Sequence, residues 1–204
     1  MIGALKRVRD YIVKNHKPVD SLPYTLEEIK AGIEIVSNVD IVEISEFNLP
    51  DNPIKGRYER YEIRCALYEP QKTKVCVQVA QSLNTCWKRF VVCKELCHSL
   101  APNGDYHITS ADQLEDLIES LISPRYLLDK LSFSPALRSE NIAIFAALEL
   151  LCPIHERKKV LRFRESNEIS DMQVAQHFRI PASFVAAAFD RHYILFAEKE
   201  LSRS

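Results

Sequence analysis

A short stretch near the middle of the chain, Lys94-Glu95-Leu96-Cys97-His98, has residue types and a spacing that could do chemistry. It matches the helical zinc-binding pattern His-Glu-x-x-His at every specified position except the first. In that pattern two imidazoles one helical turn apart bind Zn²⁺, and the glutamate polarises a metal-bound water for peptide hydrolysis. Here Lys94 replaces the first His, while Glu95 and His98 keep their places.

Lys94 changes what this pattern can do. The reference pKa of a lysine lies about 3.4 units above neutral pH, so offering its lone pair to a metal at pH 7 costs about 4 to 5 kcal/mol. A protonated Lys94 can instead put a positive charge where zinc would sit. The residues therefore indicate a peptidase-like site and argue against peptidase activity.

A catalytic zinc of this class needs a third protein ligand, a glutamate from a following helix. The candidate is Glu140, which begins an apolar helical stretch that ends at Pro153. If zinc binds despite Lys94, another side chain must supply the missing ligand. His107, nine positions after His98, is the nearest spare imidazole, and His155 follows the Glu140 helix.

The first part of the chain predicts the elements on which the motif would pack. Apolar spacing indicates one helix over residues 2–14 and a second from an N-cap at Thr25 to about Val36. Residues rich in β-branched and aromatic types then predict one mostly antiparallel sheet. Its three strands are expected at 39–44, 57–68 and 74–80.

The motif itself is predicted on an amphipathic helix, 83–100, with Lys94, Glu95 and His98 mostly off its apolar side. A loop follows, and Ser110 is expected to begin a helix that ends near Ile122. A longer helix, 135–151, carries Glu140. Glu149, near the end of that helix, is expected to be solvated or to act as a cap.

The tail predicts a helical lobe. Its pattern of a helix to about 164, a short helix 170–178, a turn and a last helix to about 201 resembles a helix-turn-helix. Residues 154–204 carry nine Lys and Arg against seven Asp and Glu, too small an excess to favour a DNA duplex. We therefore expect an α+β protein with two parts, residues 1–153 and a C-terminal lobe of residues 154–204 packed on the first.

Four pieces in order resemble the ImmA/IrrE family of metallopeptidases, whose pattern reads Arg-Phe-x-x-x-His-Glu-x-x-His, then Glu-x-x-Ala before a Leu-Leu-x-Pro ending, then a small helical segment. The chain offers the following matches: Arg89-Phe90 before the motif, Glu140 with Ala143, Leu150-Leu151-Cys152-Pro153, and 174–181. The resemblance spans residues 40 to 190. The chain departs from the pattern at Lys94 and in the long spacing between His98 and Glu140.

The resemblance implies a zincin-like fold and roles for individual residues. Glu95 would be the general base, and His98 and Glu140 would be two of the three zinc ligands. Members of the family cleave or antagonise helix-turn-helix repressors of mobile elements and stress responses. A protein that kept the cleft and lost the metal could still bind such a repressor without cutting it.

Composition narrows the classes of function. The chain has 204 residues, and 47% of them are hydrophobic. Its formal net charge of -1 lacks the positive excess that is typical of nucleic-acid-binding proteins. No stretch approaches 18 apolar residues and the N-terminus lacks a signal-peptide pattern, so the sequence predicts a cytoplasmic protein without a membrane segment. The six cysteines lack zinc-ribbon spacing and are expected to be reduced thiols.

Three hypotheses follow. The leading one is a degenerate site that holds no cofactor, in which the Lys94 ammonium takes the place of zinc and pairs with Glu140. The second is an active but atypical zinc metallopeptidase in which His107 or His155 supplies the missing ligand. The third is a regulatory module that binds a protein partner, and the first and third together form our expectation.

Overall fold

The computed structural model describes residues 1–15, 23–48, 54–64, 66, 68–101, 106–110 and 135–202. It is an α+β protein, as the sequence predicts. The described helices are α1 Ile2–Asn15, α2 Leu26–Ser37, α3 Thr85–Cys97, α4 Pro135–Leu151, α5 Ile154–Glu165, α6 Asp171–Phe178, α7 Val185–Ala188 and α8 Arg191–Ser202. The described strands are β1 Ile41–Phe47, β2 Ile54–Ile63, β3 Lys72–Ala80 and β4 Tyr106–Ser110.

The two N-terminal helices form a closely packed pair. The Thr25 hydroxyl accepts a hydrogen bond from the Glu28 N–H while the Glu28 carboxylate accepts one from the Thr25 N–H, a capping box that fixes where α2 begins. Asn38, in the left-handed conformation, ends it. A Cβ added to Gly32 would lie 3.0 Å from Val8, so this glycine permits the close approach of α1.

The sheet has the strand order β1-β3-β2-β4. β1 runs parallel to β3, whereas β2 is antiparallel to both β3 and β4, so the sheet is mixed with two antiparallel pairings out of three. The three predicted strands are confirmed, with ends that shift by a few residues. β3 lies between β1 and β2, so β1 and β4 are the two edge strands of the sheet in the described part of the chain.

The fourth strand corrects the sequence analysis. The sequence predicted no strand here and a helix from Ser110, yet residues 106–110 form β4 and pair with β2. Ser110 was interpreted as an N-cap, a role that serine often takes, but here it ends a strand that β2 supplies with hydrogen bonds. The remainder of the predicted 110–122 helix lies outside the described residues.

Helix α3 lies at the centre of the molecule, with the sheet on one side and α4 on another. The prediction that it is amphipathic is wrong. Every residue from Arg89 to Leu100 is buried, and Lys94, Glu95 and His98 are each 0% exposed. The charged residues of α3 are therefore interior groups that need partners, because burying an unpaired charge is costly.

Helix α4 is confirmed, and it ends before Pro153 as expected. Glu149 near its end is not solvated, since it is 0% exposed and forms an ion pair with the equally buried Arg157 of α5. Glu149 Oε2 also accepts a hydrogen bond from the Ile154 N–H, 3.3 Å away, at the start of α5. Of the two roles expected for Glu149, the capping role is therefore confirmed and the solvated one is wrong.

The C-terminal helices pack on the rest of the chain through aromatic rings. Phe184 stacks on Phe90 of α3 with ring centroids 4.2 Å apart, and Phe196 of α8 lies edge-on to Phe145 of α4. The predicted last helix is broken before α8, where the Asp190 carboxylate accepts the His192 and Tyr193 N–H groups. One apolar cluster includes residues from both sides of position 153, and the division there stays a prediction.

Five of the cysteines are described, and all five are free thiols, as expected. Within the described residues, none of the helices combines the length and the apolar character that crossing a bilayer requires.

Candidate functional site

Helix α3 presents its charged residues toward α4 from its last two turns. The helix begins at an Asn84 cap, whose side chain accepts the Trp87 N–H at 3.0 Å, and this start fixes the phase of the turns that follow. Lys94 and His98, four positions apart, therefore lie on one side of α3. All of these side chains, with Glu95 between them, are enclosed by protein.

Glu140 of α4 meets Lys94 and His98. Its Oε2 atom lies 2.5 Å from the Lys94 ammonium, and its Oε1 atom lies 3.2 Å from His98 Nε2. The ammonium is also 3.3 Å from Glu95 Oε1. The structure thus brings together the four residues Lys94, Glu95, His98 and Glu140 that the sequence analysis selected.

His107 of β4 joins the same cluster. Its Nδ1 atom lies 3.2 Å from Glu140 Oε1, and its ring stacks on that of His98 with centroids 3.7 Å apart and planes 9° apart. In β2 the partner of His107 is Tyr58, whose ring lies 5.8 Å from His98 and 5.9 Å from His107. Strand β4, which the sequence analysis missed, is what carries His107 to Glu140.

Burial and contact act in opposite directions on the ionisation of this cluster. Burial would raise the pKa of Glu140, but the contacts with His107 and His98 and the charge of Lys94 outweigh it, so the pKa lies well below its usual range. Burial would lower the pKa of Lys94, but the charges of Glu95 and Glu140 prevail and raise it. At neutral pH, Lys94 is therefore a cation and Glu140 an anion.

His98 behaves differently. Burial lowers its pKa below the usual value, so its imidazole is neutral at pH 7. Its Nδ1 atom has no hydrogen-bond partner among the described residues, and the 3.2 Å contact of Nε2 lacks hydrogen-bond geometry. His98 thus contributes a neutral ring whose nitrogens are not engaged as ordinary donors and acceptors.

The donor types fit zinc, since two imidazoles and one carboxylate offer ligand atoms that all lie within 4.8 Å of one another. The ring orientation does not fit. A metal midway between the rings of His98 and His107 would lie up to about 1.8 Å out of either ring plane, yet a zinc–nitrogen bond of about 2.0 to 2.1 Å follows the in-plane lone pair. One ring would have to rotate before both could bind the same ion.

Lys94 also opposes a divalent ion at this position. Its ammonium is in contact with Glu140, which is the carboxylate among the three possible ligands. A divalent cation bound there would lie beside a buried like charge, which lowers its affinity. In the arrangement described, the cation that Glu140 binds is Lys94.

His155 is the candidate that the structure does not bring to the site. It begins α5, where its Nε2 atom lies 3.3 Å from Glu156 and its ring lies 6.5 Å from that of Tyr24. Half of its side chain is exposed. His155 therefore belongs to another surface, and its selection as a possible zinc ligand is not supported by its location.

Sequence reasoning also missed residues that shape the cluster from β2. A Cβ on Gly56 would lie 2.6 Å from Glu95 Oε1 and 2.5 Å from Val91 Cγ1, so only glycine leaves room for Glu95. Tyr58 is fully buried, and the Ser99 hydroxyl donates a hydrogen bond to its hydroxyl oxygen at 3.3 Å. The alternation of β2 marks Tyr58 as an inward residue, but no sequence signal links Gly56 to Glu95.

Comparison of the chain with protein-family models, with curated proteins and with solved structures found no match.

Proposed function

We propose that the chain is a zincin-like protein of the ImmA/IrrE type, in which the Lys94 ammonium takes the position of zinc. In this proposal its function is regulatory: it binds a protein partner, a helix-turn-helix repressor, and does not cut it. The observation that carries the proposal is the 2.5 Å contact between Lys94 Nζ and Glu140 Oε2 inside the protein.

Charge balance supports this assignment. Without a cation, Glu140 would be a nearly buried carboxylate beside Glu95 and a neutral His98, and an uncompensated charge at such a place costs several kcal/mol. The Lys94 ammonium offsets that cost from within the chain. Replacement of a metal-ligand histidine by lysine therefore keeps the two helices together while it removes a ligand.

The same replacement removes the basis for hydrolysis. A bound zinc would supply a water of lowered pKa and polarise the substrate carbonyl. In this chain Glu95 contacts Lys94, and the strong attraction of the ammonium holds that carboxylate in a structural ion pair. Glu95 then serves to neutralise Lys94 and not to accept a proton from water.

Metal content tests the proposal. We expect the purified chain to carry no stoichiometric zinc. Lys94→His removes the ammonium and adds an imidazole one turn before His98, so this variant should gain about one zinc per chain. Lys88→His, on the same helix but at the surface, is the matched control and should gain none. Stoichiometric zinc in the unmodified chain would contradict the pairing of Lys94 with Glu140.

Partner binding is tested separately. A candidate repressor is incubated with the chain, the complex is isolated, and the partner is weighed by mass spectrometry. An intact partner in a stable complex supports a binding function. A partner recovered as fragments supports the second candidate described next.

The second candidate function is an atypical zinc metallopeptidase with His98, His107 and Glu140 as ligands. The observation that favours it is that the ligand atoms of these residues converge within 4.8 Å. If this candidate is correct, the chain has peptidase activity, and both Glu95→Gln and His107→Ala abolish it. Loss in Glu95→Gln alone, with His107→Ala fully active, would remove His107 from the ligand set.

A further inference from the structure

A groove of about 790 Å³ opens along the outer edge of the sheet, away from the Lys94 cluster. Its walls are the beginning of α2, the edge strand β1, the first turns of α3, and Arg179, which follows α6. Among the described strands β1 pairs with β3 alone. The other side of β1 therefore presents main-chain donors and acceptors to the groove.

The charges in the groove do not balance. Four lining side chains are positive and two, Glu27 and Glu46, are negative. Glu46 is engaged by Lys88, whose Nζ atom lies 2.8 and 2.9 Å from its two oxygens. Lys30 is engaged elsewhere, 3.5 Å from Glu34. Arg89, Arg179 and Glu27 remain, so two guanidinium groups lie opposite one carboxylate and the groove keeps one net positive charge.

Arg89 is nearly enclosed, with 7% of its surface exposed. Its Nη2 atom donates to the Tyr24 carbonyl oxygen at 2.7 Å, but its Nε atom has no acceptor among the described residues. No carboxylate of the described part of the chain forms an ion pair with Arg89. Burial lowers the pKa of Arg89, and the charge of Arg179 acts in the same direction, while Cys93, Glu27 and Cys86 oppose it only in part. An anion in the groove would relieve this repulsion.

The backbone of Arg179, which lines the groove, has a conformation that is unfavourable for an L residue. Its φ and ψ are both 48°, the left-handed conformation that glycine or asparagine usually takes after a helix. An L residue with a Cβ costs about 1 to 2 kcal/mol there. The chain keeps an arginine at this position, and its exposed side chain lines the groove together with Arg89.

We propose that this groove binds an extended acidic peptide segment, which adds to β1 as a further strand and places a carboxylate between Arg89 and Arg179. Strand addition uses the side of β1 that pairs with none of the described strands, and guanidinium groups bind carboxylates through two parallel hydrogen bonds. Ile44, which is 39% exposed on β1, offers apolar contact to the alternate side chains. This inference does not depend on the state of the Lys94 site.

The length of β1 sets the size of the peptide. Seven residues at about 3.3 Å each span about 23 Å, which matches a segment of seven or eight residues. A suitable probe is a fluorescein-labelled octapeptide of alternating valine and glutamate. Matched probes carry glutamine for glutamate, or the same valine-glutamate sequence with N-methylated amides on one edge.

Fluorescence anisotropy with the full chain measures affinity for the three probes. We expect the glutamate peptide to bind and the glutamine peptide to bind about tenfold more weakly, because the charge-assisted contacts are lost. The N-methylated peptide keeps every charge but cannot pair with β1 on that edge, so it too should lose about tenfold. Equal affinity of either matched probe, or no binding of the glutamate peptide at about 1 mM, overturns the proposal.

Variants of the chain complete the test. Arg179→Gln should weaken the glutamate peptide about tenfold, while Arg191→Gln, also exposed but outside the groove, should leave it unchanged. Arg179 is chosen because Arg89 is too buried to replace without risk to the fold. Equal affinity of the two variants would overturn the assignment, provided circular dichroism shows both folded. Binding retained in Lys94→His separates this result from the proposed function.

Discussion

Helix α4 carries two glutamates that the protein encloses in different ways. Glu149 near its C-terminus is fully buried, and Glu140 near its N-terminus is 15% exposed. Each has a cation from a neighbouring helix, Arg157 from α5 and Lys94 from α3. The same residue type, on the same helix, thus belongs to two buried ionic sites that can be compared directly.

The Glu149 site is a matched pair held by main-chain groups. Glu149 accepts from Arg157 and from the Ile154 N–H, and Arg157 also donates to the Ala188 carbonyl oxygen and lies over the Tyr193 ring. Burial raises the pKa values of Cys152 and Tyr193 beside it, so both stay neutral near pH 7. The hydrogen bonds of this site join α4 to α5 and α5 to α7, which is the pattern of a structural link between helices.

The Glu140 site gathers more ionisable groups around its carboxylate. Lys94 and His98 contact Glu140, His107 contacts it from β4, and Glu95 contacts Lys94. Several ring nitrogens there lack hydrogen-bond partners in the described part of the chain. Clusters of this kind mark functional sites more often than isolated pairs do. The Glu149 pair thus links two helices, whereas the Glu140 cluster brings several ionisable groups together, which is what the proposed function requires.

The largest effect should come from breaking the matched pair. Arg157→Met leaves Glu149 buried without a cation, and we expect the free energy of unfolding to fall by about 3 to 5 kcal/mol. Urea denaturation measures it. The control is the double variant Glu149→Leu with Arg157→Met, which removes both charges and should recover most of the loss. A single variant as stable as the double one would show that Arg157 does not neutralise Glu149.

A smaller loss should follow from removing the cation of the cluster. Lys94→Met leaves Glu140 with His107 and His98, which still contact it, so we expect about 2 to 3 kcal/mol from urea denaturation. Lys88→Met, which removes a surface ion pair from the same helix, should cost at most about 1 kcal/mol. Equal losses in the two variants would place Lys94 outside the charge balance of Glu140.

A steric change next to the cluster should cost less again. Gly56→Ala puts a methyl group against Glu95 Oε1 and Val91 Cγ1, and overpacking of this kind costs about 1 to 3 kcal/mol. Gly3→Ala is the matched control, because a Cβ there meets nothing within 4 Å and alanine favours a helix. Thermal unfolding should lower the Tm of the first variant and not of the second. Unchanged stability in Gly56→Ala would mean that Glu95 has room to move.

The sequence predicts the Glu140 site better than the Glu149 site, for a physical reason. The motif helix, the Glu140 helix and the pairing of Lys94 with Glu140 follow from local spacing and from the rule that a buried charge needs a partner. Nothing local distinguishes Glu149 from a solvated glutamate, because its burial depends on how α5 packs. The position of His107 was equally hidden, since β4 is a five-residue strand stabilised by pairing with β2.

For α3, the charged residues led to a wrong prediction of solvent exposure. Polar residues at regular spacing usually mark a solvated helix face, yet here they face α4 and the sheet. An enclosed ionic cluster departs from that rule, because its charged residues pair with one another inside the protein. The amphipathic prediction was therefore wrong at the same residues that the motif had already marked as special.

The smallest effect is a difference in how stability depends on pH. The pKa values of Glu140 and His98 are both lower in the folded chain, so the unfolded chain binds protons first as the pH falls. Stability due to His98 is lost as the pH falls below about 6.5, and that due to Glu140 as it falls below about 4.3. Lys94, whose pKa is raised, loses its contribution only at alkaline pH, above about 10.4.

Urea denaturation at several pH values between about 7.5 and 3.5 measures these slopes. Glu140→Gln should flatten the curve below about pH 4.3, while Glu43→Gln, which removes an exposed carboxylate paired with Lys74, should leave it unchanged. An unaltered acid slope in Glu140→Gln would mean that this carboxyl is not ionised by its neighbours. Glu140 would then not be the anion that Lys94 pairs with, and the comparison of two buried ion pairs on α4 would fail.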